Sequence, residues 1–181
     1  MVRIGWSGSS STLAYCFPLL RDAIVELART EEFEFIVIAD RKPAENWPGV
    51  RMSFIPWSPE TEVDTLQLFD IGLMPLRDEP FEQGKCGLKA ISYMAVGITA
   101  VVSPVGVNSE IIQDGVNGFL CRGTEEWVKV LKMLLHDSAL RESIGAAARA
   151  HAESGYSINF LVPRIEACFR RIVDNDFESV H

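Results

Sequence analysis

At 181 residues the chain has the length of one domain with room for a full hydrophobic core. Hydrophobic residues make up 48% and charged residues 23%, which excludes a disordered or low-complexity chain. The net charge of -8 argues against a general nucleic-acid binder and a polybasic membrane anchor, although a few local cations could hold a small nucleotide. The four cysteines (Cys16, Cys86, Cys121, Cys168) are far apart, and the three histidines show no metal-binding spacing, so reduced thiols and no metal site are expected. No run approaches the roughly 20 apolar residues of a membrane span. The N-terminus lacks the apolar core of a secretory signal, and a cytoplasmic location follows as the expectation.

Taken in order, Val2–Trp6 reads as a strand that breaks at Ser7-Gly8-Ser9-Ser10-Ser11-Thr12. Leu13, Phe17, Leu20, Ile24 and Leu27 then step by three or four, one buried helical face, with Pro18 an expected point of kinking. Phe35–Ala39 is a continuous apolar run, the pattern of a strand covered on both faces, and ends at Asp40. Asn46-Trp47-Pro48-Gly49 turns the chain into a third strand, Val50–Ile55. The loop Pro56–Pro59 leads to a short acidic helix over 60–68, and Asp70–Leu76 is the fourth strand.

The segment Glu79–Ile112 reads as loop, helix, buried strand and loop, with Gly84, Gly87, Gly97 and Gly106 at its joints. Gly84-Lys85-Cys86-Gly87 opens the helix, so backbone N–H groups and a cation converge there, as a diphosphate requires. Lys85 is assigned that contact, together with Gly87 and Leu88 at the helix start. Lys89 shares the helix face if the helix begins early enough, and is left between a ligand contact and a solvated charge. Glu79 and Glu82 read as surface charges, and Cys86 as a small packing residue.

Thr99–Val102 is the fifth strand, a short helix follows over 108–113, and Phe119–Cys121 is the sixth strand. The remainder is helical: 124–136, 138–152 and a last helix from Ser157 to about Val173, interrupted by Pro163, with a frayed tail from Asp174. Alternating strands and helices imply an α/β fold, a Rossmann-like doubly wound parallel sheet of about six strands. Ligands of such sheets sit beyond the carboxyl ends of the strands, where Ser7–Thr12, Pro56–Pro59, Arg77–Gly87 and Pro104–Asn108 converge. Gly8 and Ser9 can hold phosphate there through N–H and hydroxyl groups, although Gly5-Trp6-Ser7-Gly8 is not a dinucleotide fingerprint.

DIGLMPL followed by GKCGLKAISYMAVGITAVVSPVGVNSEIIQDGVNGFL resembles the donor-binding C-terminal domain of GT-B glycosyltransferases of the retaining family 4 type. Asp70, Gly87-Leu88, Met94-Ala95, Gly97, Val101-Val102, Gly106, Glu110-Ile111 and Asn117-Gly118 carry the match. The resemblance implies that residues 1–181 are a single lobe of the GT-B fold. Its donor would be a nucleotide diphosphate sugar, with no separate cofactor. Pro56 and Trp57 would hold the base, although Trp57 beside two prolines also reads as packing. Gly84, Ser92 and Glu110 fall where the sugar and ribose are bound. The family carries glutamates at the positions of Gly84 and Ser92, so neither contact can be a carboxylate here, and Glu110 is either a ribose contact or a helix cap. No catalytic residue is assigned.

The resemblance further implies a glycosyltransferase of hexosyltransferase type whose N-terminal lobe and acceptor (glycan, lipid or small molecule) lie outside the chain, leaving it inactive alone. A peripheral membrane contact through that lobe is left open, and no nucleic-acid partner is expected. The alternatives are a non-catalytic nucleotide-sugar-binding domain and a GT-B-fold UDP-sugar epimerase. A flavodoxin-like or receiver-like module is disfavoured because no aspartate cluster follows the first strand.

Overall fold

Every apolar run read as a strand joins one sheet, in the order Arg51–Pro56, Phe33–Ala39, Val2–Ser7, Ile71–Met74, Thr99–Val102, Phe119–Leu120, with all pairs parallel. The computed structural model describes residues 1–178, without the side chains of Ala14, Cys16 and residues 174–178. The strands are β1 (Val2–Ser7), β2 (Phe33–Ala39), β3 (Arg51–Pro56), β4 (Ile71–Met74), β5 (Thr99–Val102) and β6 (Phe119–Leu120). The chain reverses its direction of winding between β1 and β4, and a ligand crevice opens at such a switch point.

Two apolar layers enclose the sheet. On one side Ile4, Trp6, Phe35 and Val37 pack on α1 (Ser10–Leu27) and on Trp127, Leu131 and Leu134 of α6 (Thr124–His136). On the other, Ile36, Ile38, Ala100 and Val102 meet Ala90, Tyr93 and Met94 of α4 (Leu88–Ala95), and Ala148 and Ala152 of α7 (Ser138–Tyr156). Both faces being covered explains the unbroken hydrophobicity of β2 from Phe35 to Ala39. Gly5 and Gly72 lie opposite each other in the β1–β4 register, and a Cβ on either would enter the ring of Phe69 or Tyr93. Two aromatic rings thus lie directly against the backbone in the middle of the sheet.

Three local expectations change. Helix α1 runs through Pro18 without a break. The loss of one helical hydrogen bond is outweighed by a face on which Phe17, Leu20, Ile24 and Leu27 are all buried. A helical turn absent from the sequence reading, α3 (Pro80–Gln83), forms inside the Arg77–Gly87 loop, with Pro80 at its first position. The remaining helices are α2 (Glu62–Leu66), α5 (Asn108–Ile111) and α8 (Ile158–Glu178). Helix α8 continues through Pro163 and past Val173, where fraying was expected; residues 179–181 lie outside those described.

Asp70, at the entry to β4, binds the Arg3 backbone N–H at 2.7 Å, while its own N–H donates to the Arg3 carbonyl. It pins β1 to β4 at the edge opposite the loops that gather at the carboxyl ends, which makes it a structural residue.

Candidate functional site

The carboxyl ends of β1 and β4 diverge beyond the Gly5–Gly72 pair, and Tyr93 fills the gap. Its hydroxyl accepts from the Ser7 N–H at 3.0 Å and donates to the Leu73 carbonyl at 3.2 Å. Tyr93 is fully buried and forms the floor of a cleft of about 380 Å³. Ser7, Gly8 and Ser9 line one wall, Leu88, Lys89 and Ser92 another, and Trp57, Asp40 and Leu66 the rim. That volume lies in the range of small-ligand sites.

Two of the helices that start at this edge, α1 and α4, differ in what meets their N-termini. At α1, Ser9 is the N-cap and accepts from the Thr12 N–H. The Asp40 carboxylate takes the Ser10 N–H and, through its second oxygen, the Ser10 hydroxyl at 2.9 Å. An anion of the protein's own therefore already occupies the helix end that Gly8 and Ser9 were expected to offer a phosphate. At α4 the N-cap is Gly87, in the left-handed region with φ 69°, and no side chain caps the helix. A helix start without a side-chain cap is a place where an external anion can be held.

The cations beside α4 have distinct settings. Lys89 lies within the helix and lines the cleft, with Nζ 5.6 Å from the centre of the Trp6 ring. Lys85 precedes the helix, so the two lysines do not share a helical face as expected. Its Nζ is 3.8 Å from the Glu82 carboxylate and 5.4 Å from the Phe81 ring centre. Glu82, expected on the surface, is 6% exposed because α3 folds it inward.

Among the other expected site residues, Ser92 and Trp57 line the cleft with Gly8, Ser9 and Leu88. Trp57 is 43% exposed, so it is a rim residue rather than core packing. Pro56 ends β3, and the Trp57 N–H is held by the Ala39 carbonyl. Gly84 and Glu110 are exposed and line no part of the cleft. Cys86 is exposed, contrary to its expected packing role, whereas burial pushes the Cys121 thiol up to about 12. Asp40, Tyr93 and Lys89 are the residues that sequence reasoning missed or left open; a polar residue ending a buried strand was the available signal for Asp40.

The hydrogen bond from the Ser10 N–H, then that from the Ser10 hydroxyl, holds the Asp40 carboxyl below its usual range. A depressed folded value stabilises the fold above the ordinary aspartate pKa of about 3.9 and ceases to do so as pH falls through the folded value. The melting temperature of Asp40→Asn should therefore lie below that of the wild type near neutral pH, and the gap should close on acidification. A gap that is constant with pH, read by thermal denaturation, would exclude the charged cap.

Residues 3–137 match the family described as glycosyl transferases group 1. The chain is 31% identical over 101 residues to a D-inositol 3-phosphate glycosyltransferase of Streptosporangium roseum, covering 54% of this chain and 22% of that protein. The corresponding enzyme of Jonesia denitrificans is 27% identical over 136 residues, 74% of this chain and 27% of that protein. The chain thus spans about a quarter of the length of these curated relatives.

Among solved structures, the C-terminal domain of a glycosyl transferase group 1 family protein (LpcC) from Francisella tularensis superimposes with a TM-score of 0.69 at 21% identity, covering 87% of each chain. Anabaena Alr3699/HepE, solved in complex with UDP and glucose, gives 0.73 at 19% identity over 93% of this chain and 48% of that one. Both place the six-stranded sheet and its helices in the fold of a GT-B lobe.

Proposed function

The chain belongs to the glycosyl transferases group 1 family, and we propose that it is the nucleotide-sugar donor lobe of a two-lobed glycosyltransferase of the family 4 type. The observation that carries this reading is the uncapped N-terminus of α4, with Lys89 beside it, at the mouth of a 380 Å³ cleft. In this reading the nucleoside enters the cleft between Trp57 and Ser92. The diphosphate meets the start of α4 at Leu88, with Lys85 before it and the Lys89 ammonium after it. Glycosyl transfer leaves charge on the departing diphosphate, and a helix end with flanking cations stabilises it where it develops. Leu88, 65% exposed, would face the acceptor lobe. Acceptor, linkage and a cytoplasmic site of action belong to the same proposal.

Calorimetric titration of the 181-residue chain with UDP, GDP and ADP is the direct test. One of them should bind, and Lys89→Ala should weaken it by about tenfold, the scale of a hydrogen bond to a charged group. Lys85→Ala should weaken it less, because Glu82 already partly neutralises that ammonium. No binding of any nucleoside diphosphate at millimolar concentration would end the proposal. The glycine and serine at positions 84 and 92, where the family carries carboxylates, favour a second reading in which the donor is bound but not transferred. Supplying an N-terminal lobe and assaying donor turnover separates the two.

A further inference from the structure

Tyr93 stands where the hydrogen-bond ladder of the sheet is interrupted. Strand β1 stays paired with β2 up to Ser7, and β4 with β5 up to Met74. The register between β1 and β4 covers only Ile4–Ile71 and Gly5–Gly72. Carried two residues further, it would set Ser7 opposite Met74. Backbone groups along a strand face its two neighbours alternately, and the Gly8 N–H donates to the Ile38 carbonyl on the β2 side. The Ser7 N–H therefore faces β4, where a continuing parallel ladder would pair it with the Leu73 carbonyl. The Tyr93 hydroxyl joins those same two groups, accepting from the first at 3.0 Å and donating to the second at 3.2 Å. A side-chain oxygen is thus inserted into what would be a strand-to-strand bond.

The ring is fixed as closely as the hydroxyl. A Cβ on Gly72 would come 2.6 Å from Cγ and Cδ2 of Tyr93, so the ring rests on bare β4 backbone. Phe69, with its ring centre 6.1 Å away, does the same at Gly5. Both hydrogen bonds of the hydroxyl are buried. Removing the oxygen would leave a donor and an acceptor unpaired out of water, or let the two strand ends close on each other.

Either outcome reaches the cleft. Ser7 opens the wall that continues through Gly8 and Ser9, and Tyr93 belongs to the helix whose first residues, Leu88 and Lys89, line the cleft with it. A Cβ on Gly8 would lie 2.8 Å from Cε of Lys89 and 2.7 Å from Cη2 of Trp6. The Lys89 stem and the Trp6 ring therefore both pack against the Gly8 backbone, and a change in strand spacing at Ser7 displaces Gly8 against that stem.

Resting on the donor-lobe reading, we propose that Tyr93 is a positioning residue of the nucleotide site. Its hydroxyl spaces the ends of β1 and β4, and so holds the Ser7–Ser9 wall and the Lys89 ammonium at the separation a nucleoside diphosphate requires. It acts through Ser7 on one side and through α4 on the other.

Tyr93→Phe removes the one oxygen and keeps the ring, and two measurements on the whole chain read its effect. In amide proton–nitrogen NMR spectra, the signals of Gly8, Ser9, Leu88 and Lys89 should shift together with that of Ser7. In calorimetry well below the unfolding temperature, whichever of UDP, GDP and ADP binds the wild type should bind the variant about tenfold more weakly. Ile144→Val, a change at a buried residue that lines no part of the cleft, is the control for lost stability alone and should keep wild-type affinity. Shifts confined to Ser7 and Met74, or an affinity in Tyr93→Phe equal to that of Ile144→Val, would overturn the spacer. If no diphosphate binds the wild type, the donor-lobe reading falls, and the spectra still decide whether the hydroxyl sets the cleft.

Discussion

Gly87→Ala should abolish measurable nucleotide binding and destabilise the fold by about 1–3 kcal/mol. Gly87 stands at φ 69° and ψ 16°, where an L side chain brings its Cβ against the following carbonyl. The added carbon would also lie 2.3 Å from Cδ1 of Ile111 and 3.2 Å from Oδ1 of Asn108, both of them buried. The Ile111 methyl can give way, but the positive φ is relieved only if the N-cap rotates. That rotation redirects the first N–H groups of α4, the feature on which anion binding depends, so a loss of at least about a hundredfold in affinity is expected. Gly84→Ala is the control. Gly84 has φ -80° and its new carbon would meet nothing nearer than 3.6 Å, so its stability should stay within about 0.5 kcal/mol of the wild type. Chemical denaturation and calorimetry on the two variants decide the matter; wild-type affinity in Gly87→Ala would remove α4 from the site.

A second pair of substitutions should move stability in opposite directions within one helix. Gly145 and Gly155 both lie in α7, and helix propensity alone favours alanine over each by about 1 kcal/mol. At Gly145, however, the new carbon would lie 2.2 Å from the Gly97 carbonyl oxygen and 3.1 Å from its carbonyl carbon. That neighbour is backbone, in a turn with φ 76°, so it cannot rotate away as a side chain would. Helix α7 would have to lift from the α4–β5 turn, opening contacts made by the buried Ile144 and Ala148. Overpacking outweighs propensity here, and Gly145→Ala should lose about 2 kcal/mol or more. Gly155 has nothing within 4 Å, and Gly155→Ala should gain up to about 1 kcal/mol. Urea midpoints at equal m-value measure both. Equal shifts of the two variants would show that α7 packs more loosely than these distances require.

Much of the fold is legible from residue patterns because each strand that is buried on both faces must be apolar throughout. Phe35–Ala39 reads as a strand on that ground alone, β2 extending it back to Phe33, and the spacing of Leu13, Phe17, Leu20, Ile24 and Leu27 identifies α1 despite Pro18. The last helix begins where the sequence places it, at Ser157, whose hydroxyl accepts from the Phe160 N–H as an N-cap does. The glycine-flanked start of α4 was equally visible, since a left-handed N-cap leaves few choices of residue.

What no local pattern contains is the identity of the groups that meet across the sheet edge. Asp40 reaches the N-terminus of α1 only because β1 and β2 pair in parallel, with Ser7 opposite Ile38, which brings two strand ends to the same place. Tyr93 reads as one more aromatic residue on α4 until the strands on either side of the switch point part and leave its hydroxyl between Ser7 and Leu73. Glu82 reads as a surface charge until α3 turns it inward, out of water.

The sequence by itself therefore determined the α/β architecture, the six strands and the helix start that an anion would seek, because periodicity and backbone conformation are properties of neighbouring residues. Which helix end is already occupied, which lysine faces the cleft and which carboxylate is buried were decided only by tertiary structure. Those outcomes depend on charges and hydrogen-bonding groups brought together from distant parts of the chain, and local sequence carries no record of that distance.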